Sequence, residues 1–323
     1  MSVLSVTLFI AGFILLVKGA DFLVDGAVIT ARKFGISDMV IGLSIVAFGT
    51  SAPELFVNIF ASIDGNSQIV IGNIMGSNIF NTFLILGISA AIFPLKVAKN
   101  TVWKEIPFNL LSGVILFILA SGIMRFKFGQ GMIGRGDGLI LLILFCAFLY
   151  YLLMSAREQQ GNIPAKEDRN DVSALRITFF LLGGLLLLNI GAKWVVAGAV
   201  KIAELYGVDK RIIGLTIVAA GTSLPELATS MAAAVKKRPD IAVGNIIGSN
   251  IFNILFILGI SSIIRPLEFL PVNFFDLTVV IVSSALIFIT MFSGGKRTLD
   301  RWEGLCFVVL YITYLWFITR SPG

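Results

Sequence analysis

The 323-residue sequence has no histidine and only two cysteines, Cys146 and Cys306. Both cysteines sit inside apolar runs, so a disulfide framework and a thiolate zinc site are excluded. Charge is also scarce: Asp, Glu, Lys and Arg make up 14% of the chain, against about 25% in ordinary globular domains. With 57% hydrophobic residues and a mean hydropathy of +0.95, the chain lacks the polar surface to meet water on every side. A bilayer is the solvent that this composition fits. The net charge of +6 is spread between apolar runs rather than gathered in a patch, which excludes nucleic-acid binding and fits membrane orientation. Gly183 and Gly184 follow no strand, so a phosphate-binding loop is excluded too. The apolar pattern starts near Val3 and outruns the 7–15 residues, roughly, of a signal core, so the first segment is expected to be retained.

What is there is a series of long apolar windows. They predict ten helices over 3–31, 40–63, 69–93, 106–124, 138–154, 175–204, 212–235, 241–264, 271–292 and 301–319. The first and sixth approach 45 Å at about 1.5 Å per residue, longer than a hydrocarbon core of about 30 Å, so they must tilt or protrude. The longest polar connection runs from Ser155 to Leu175 and divides the chain. Residues 1–154 are read as a first five-helix repeat, 155–174 as a cytoplasmic linker and 175–323 as a second repeat. Connections on the linker's side of the membrane hold 15 Lys and Arg, those on the other side seven. The positive-inside rule then places both termini outside the cell in a multi-pass cell-membrane protein.

The repeat rests on self-similarity at one fixed offset. Gly42 to Ala91 aligns with Gly214 to Ile263 at a spacing of 172 without a gap, and 27 of the 50 positions are identical. Upstream, Gly19, Ala20, Val24 and Gly26 pair with Gly191, Ala192, Val196 and Gly198 at the same offset. Five helices is an odd number, so the second copy enters the membrane from the opposite side. The predicted architecture is an all-α membrane protein with ten transmembrane helices in two inverted repeats.

Two glutamates carry the chemistry. Glu54 and Glu226 lie mid-span, where an ionised side chain costs about 2.5–3.5 kcal/mol on an insertion scale. Pairing with Lys18 or Lys193 would compensate each one separately; their equivalent positions point instead to a shared midplane cavity that a cation neutralises. Each sits in GTS-x-PE, where Pro53 and Pro225 remove an amide donor and break the helix. Loosened carbonyls there, including those of Ala47 and Ala219, are available to an ion. Thr50, Ser51 and Glu54 share one helical face if the turn persists, as do Thr222, Ser223 and Glu226. The partner motif GN-x-x-GSN-x-x-N sets Ser77 with Asn81, and Ser249 with Asn253, one turn apart. Its glycines allow close helix approach, and Asn78 and Asn250 suit interhelical hydrogen bonds. Lys18, Asp21 and Asp25 are read as satisfying one another along the first helix, and Lys193, Lys201 and Glu204 as snorkelling to an interface.

At these motifs the sequence resembles the cation/calcium antiporter superfamily, most closely the prokaryotic sodium/calcium exchangers. GTSAPEL and GTSLPEL, with GNIMGSNIFN and GNIIGSNIFN, are similar to that family's two alpha repeats, and the match covers both halves. The resemblance implies Glu54 and Glu226 as the main calcium ligands. It implies flanking sodium sites from Thr50, Thr222, Ser77, Ser249 and the carbonyls of Ala47 and Ala219, with Ser51, Ser223, Asn81 and Asn253 at the centre. It also implies that the long first and sixth helices slide across that core. Some members carry aspartate where Asn253 stands; two carboxylates still balance one Ca²⁺. Proton-coupled members place a glutamate shortly after GN, whereas Ile74, Met75 and Gly76 follow Asn73 here.

The expected function is a Na⁺/Ca²⁺ antiporter working by alternating access, with H⁺ or K⁺ coupling, or another divalent cargo, as the alternative. Ca²⁺ and Na⁺ are its substrates and the bilayer its surroundings; no cofactor is expected and a monomer suffices. A channel would need a continuous pore, and an enzyme a nucleophile that this carboxylate pair lacks.

Overall fold

A computed structural model describes residues 3–122, 131–160, 173–206, 219–293 and 296–320. The described residues are helical nearly throughout, and many large apolar side chains are exposed, among them Phe13, Ile143, Leu153, Phe179, Leu186 and Trp316. Such a surface is stable only against lipid. The long helices are α1 (Val3–Phe34), α4 (Ser67–Ile92), α5 (Thr101–Ala120), α6 (Arg135–Gln160), α7 (Ala174–Leu205), α10 (Pro239–Ile264), α11 (Pro271–Thr290) and α12 (Arg301–Arg320). These eight are long and apolar enough to cross a membrane. A ninth crossing is a broken one: α2 (Asp38–Thr50) and α3 (Ala52–Ile63) meet at Ser51 with a 48° bend. Its equivalent, expected over 212–235, is described only as α8 (Ala219–Thr222) and α9 (Leu224–Val235), because 207–218 lie outside the described residues.

The broken crossing follows from its proline. Ser51 leaves helical geometry at φ −83°, ψ 7°, and Pro53 falls in the first turn of α3, where no amide donor is needed. Ser223 does the same at φ −91°, ψ 8°, ahead of Pro225. Both halves also carry a widened π turn, Phe80–Ile85 in α4 and Phe252–Ile257 in α10, which starts beside Asn81 and Asn253. Such turns re-aim side chains at functional sites.

Helices α1 and α7 pack antiparallel through paired glycines. A Cβ added at Gly19 would stand 2.9 Å from the Gly184 carbonyl oxygen, and one at Gly191 would stand 2.8 Å from that of Gly12. Gly12 and Gly184, like Gly19 and Gly191, are 172 apart, so the two contacts are reciprocal. Helices α4 and α10 lie innermost, and α6 and α12 pack outside them.

Three expectations are corrected. The fifth helix, expected to stop at 154, continues to Gln160, because its last turn is polar yet unbroken by Gly or Pro. The expected linker therefore begins inside a helix, and residues 161–172 of it lie outside the described residues. Four short strands, absent from the all-α expectation, close the connections: β1 (Leu95–Lys96) pairs β4 (Thr298–Leu299), and β2 (Met132–Ile133) pairs β3 (Leu267–Glu268), both antiparallel. Asp21 and Asp25 are not satisfied by Lys18; Lys236, brought over by packing of α9 on α1, takes both.

Candidate ion-binding site

Glu54 and Glu226 are each 1% exposed, and Thr50, Ser51, Ser223 and Ser249 are fully buried. Among the described residues neither glutamate forms an ion pair, so neither Lys18 nor Lys193 answers them. What meets each carboxylate is a serine from the other half. Ser51 Oγ donates to Glu226 Oε1 at 2.8 Å, and Ser223 Oγ donates to Glu54 Oε1 at 3.0 Å. The expected shared face of Thr50, Ser51 and Glu54 is thus corrected: the helix breaks at Ser51, and its hydroxyl turns across the interface. Thr50 and Thr222 approach the opposite glutamates as well.

The second motif completes the crossing. Ser249 lies 2.9 Å from Ser51 Oγ and 3.4 Å from Glu226 Oε1, while Ser77 lies 3.2 Å from Ser223 Oγ. Asn81 Nδ2 donates to Asn250 Oδ1 at 3.2 Å, and Asn253 Nδ2 donates to Asn78 Oδ1 at 3.1 Å. Thr50 Oγ1 donates to Asn245 Oδ1 at 3.0 Å, and Thr222 Oγ1 to Asn73 Oδ1 at 3.4 Å. Apart from the Ser249–Glu226 contact, each of these bonds has a counterpart displaced by 172 in both residues. The carbonyl of Ala47 accepts the Ser51 amide at 3.0 Å and the Thr50 hydroxyl at 3.3 Å. In the second half the Ser223 amide reaches Ala220 instead, and the Ala219 side chain lies outside the described residues.

After these bonds are made, the buried atoms left without a partner on the residues of the two motifs are four acceptors, Glu54 Oε2, Glu226 Oε2, Asn81 Oδ1 and Asn253 Oδ1, and two amide nitrogens, Asn73 Nδ2 and Asn78 Nδ2, with Asn58 Oδ1 unpaired one turn beyond Glu54. A buried polar atom left unpaired costs about 1–3 kcal/mol, more when charged, so four acceptors together call for a positive partner. No group of three or more His, Cys, Asp or Glu forms among the described residues, so the site offers two formal negative charges and a surplus of neutral oxygens. That donor set suits hard cations, which take oxygen ligands.

Residues outside the motifs also serve this region. Asn58 Nδ2 donates to the Glu54 carbonyl at 2.7 Å, Asn245 Nδ2 donates to Ser230 Oγ at 2.9 Å, and Asn250 Nδ2 donates to Thr82 Oγ1 at 2.9 Å. Asn58 and Ser230 are absent from the sequence expectations, although each stands one helical turn beyond its glutamate, a spacing that could have found them. Thr82 had no such signal, because its equivalent is Ile254.

A buried cluster of two carboxylates and neutral oxygens, contributed by two similar halves within apolar helices, has the donor set of a membrane protein that handles cations. The model of the family described as "Sodium/calcium exchanger protein" matches residues 4–154 and 176–320, and the chain belongs to that family of antiporters. It is 34% identical to the sodium/calcium exchanger MaX1 of Methanosarcina acetivorans over 94% of this chain and 95% of that protein. It is 27% identical to the Ca(2+)/H(+) antiporter ChaA of Bacillus subtilis over 84% of this chain and 80% of that one. Its fold matches a solved structure of the sodium-calcium exchanger NCX_Mj soaked with 10 mM Na⁺ and zero Ca²⁺. There the identity is 35%, the TM-score 0.83, and the match covers 98% of this chain and 99% of that chain.

Proposed function

We propose that this protein exchanges Na⁺ for Ca²⁺ across the cell membrane by alternating access, with the ions bound at the midplane between two inverted five-helix repeats. The observation that carries the reading is the set of four unpaired acceptors on Glu54, Glu226, Asn81 and Asn253. Two carboxylates neutralise one Ca²⁺, and the neighbouring hydroxyls of Thr50, Thr222, Ser51, Ser223, Ser77 and Ser249 bring the oxygens toward the 6–8, roughly, that Ca²⁺ takes. Na⁺ uses the same hydroxyls with the carbonyls of Ala47 and Ala219. Because either load must neutralise the same glutamates, the two compete, and competition couples them. Ten helices put both termini outside and the linker in the cytoplasm, and each chain holds a complete site, so a monomer suffices. The names of the exchanger relatives support Na⁺ and Ca²⁺ as cargo.

Coupling to H⁺ is the second reading, favoured by the similarity to a Ca(2+)/H(+) antiporter. Uptake of ⁴⁵Ca²⁺ into proteoliposomes under imposed Na⁺, K⁺ or H⁺ gradients separates the readings. Uptake driven by the Na⁺ gradient is expected; uptake that follows only the pH gradient makes the protein a proton-coupled carrier.

A further inference from the structure

Lys236 caps the end of α9 and reaches α1, where its Nζ lies 2.7 Å from Asp25 Oδ1, 3.3 Å from Asp21 Oδ1 and 3.0 Å from the Asp21 carbonyl oxygen. Displaced by 172, Asp21 becomes Lys193 on α7, and Lys236 becomes Asp64 at the end of α3. The same two places therefore hold opposite charges, exchanged between the long helix and the broken one. The second pair is open: Lys193 and Asp64 are both exposed, and among the described residues neither side chain makes an ion pair. Packing differs in the same sense. Helix α1 lies along α9, whereas α7 at most grazes α3. The guanidinium of Arg265 covers Gly65 beside Asp64, and no lysine has arrived there.

We propose that Lys236 with Asp21 and Asp25, and Lys193 with Asp64, are two latches of opposite polarity, of which one is closed at a time. This rests on the alternating-access reading above. Exchanging the conformations of two inverted repeats converts the contact of α1 with α9 into one of α7 with α3, which opens the first latch and closes the second. The reciprocal glycine contacts make α1 and α7 move as one body. The Lys236 side chain is 27% exposed, and those of Asp21 and Asp25 are 37% and 49% exposed. Ion pairs that wet are weak, which suits contacts that must open in every cycle. Asp25 has Ala197 as its equivalent, so the first latch holds two carboxylates and the second only one. That imbalance favours the state in which the Lys236 latch is closed.

The test starts from Cys146→Ala and Cys306→Ala, with Asp64→Cys and Lys193→Cys added, and follows disulfide formation under an oxidant in detergent. Adding Lys236→Gln is expected to raise the cross-linking rate about two- to fivefold, the bias that an exposed ion pair supplies. Lys236→Arg is expected to leave it unchanged. Asp21→Asn with Asp25→Asn is expected to reproduce the Lys236→Gln effect, which keeps the test valid if one variant does not fold. A rate indifferent to both routes, or a pair that never cross-links, overturns the latches. The Lys236→Gln protein with native Asp64 and Lys193 is assayed in parallel for ⁴⁵Ca²⁺ exchange. Cross-linking as expected without any Ca²⁺ movement overturns the transport reading alone, and Ca²⁺ exchange with indifferent cross-linking overturns the latches alone.

Discussion

The two halves agree at the centre and differ at the edge. Every hydrogen bond that joins Glu54, Ser51, Thr50, Ser77 and Asn81 to their surroundings across the interface has a counterpart 172 residues on. One shell further out the match fails: Thr82 faces Asn250, but Ile254 offers nothing to Asn78, whose Nδ2 is left unpaired. Asn58 takes the Glu54 carbonyl, while its equivalent Ser230 accepts from Asn245. At the ends of the broken helices, Asp64 replaces Lys236 and Gly65, at φ +81°, replaces Lys237, at φ +57°. On the proposed exchange cycle, identity is kept where an ion would meet the same ligands from either half. It is lost where only one half makes the supporting bond.

The largest test of this comparison is its inversion. Cysteines at Lys237 and at Asp64 are expected to react with impermeant reagents from opposite sides only, Lys237→Cys from the cytoplasm and Asp64→Cys from outside; labelling of both from one side breaks the two-fold relation. Next, Glu54→Gln and Glu226→Gln are each expected to lower Ca²⁺ exchange by about 100-fold or more while the protein elutes as a folded species. Each removes half the charge that balances the ion, a loss comparable to the roughly 3–5 kcal/mol of breaking a buried pair. A large defect in one and none in the other breaks the equivalence of the halves.

The third test sharpens the difference at the edge. Thr82→Val leaves Asn250 Nδ2 without its acceptor and is expected to destabilise by about 1–3 kcal/mol in thermal unfolding. Ile254→Thr gives Asn78 a partner and is expected to cost less, because the new bond offsets the lost apolar packing. The smallest effect is expected at the threonines. Thr50→Val and Thr222→Val should each blunt Na⁺ competition against Ca²⁺ severalfold while weakening Ca²⁺ binding itself less. An unchanged Na⁺ response in both would remove these hydroxyls from the Na⁺ sites.

Much of this was legible because membrane composition is extreme and the repeat is exact in spacing. GTS-x-PE and GN-x-x-GSN-x-x-N hold ten of the twelve candidate ligands, with Ala47 and Ala219 two residues ahead of the first motif, since a mid-span glutamate, a helix-breaking proline and a run of asparagines each break a local rule of apolar helices. The widened turns at Phe80 and Phe252 left no such mark, because a π turn changes backbone pairing without needing a special residue. The buried carboxylate of Glu105 and the half-buried one of Asp276 left no mark either. Each is met by a tyrosine from a neighbouring helix, Tyr151 and Tyr314, a pairing that spacing along one helix does not reveal.

By itself the sequence determined the solvent, the repeat, the helix breaks and the identity of the polar residues, all of which follow from composition and from distances of a few residues along the chain. The tertiary structure decided which half serves which glutamate. Ser51 lies three residues from Glu54 yet bonds Glu226, because the break at Ser51 turns the hydroxyl outward and α10 carries Ser249 in to meet it. It also decided that Asp21 and Asp25 belong to Lys236 rather than to Lys18, since an ion pair forms with the charge that packing brings near and not with the one nearest in sequence.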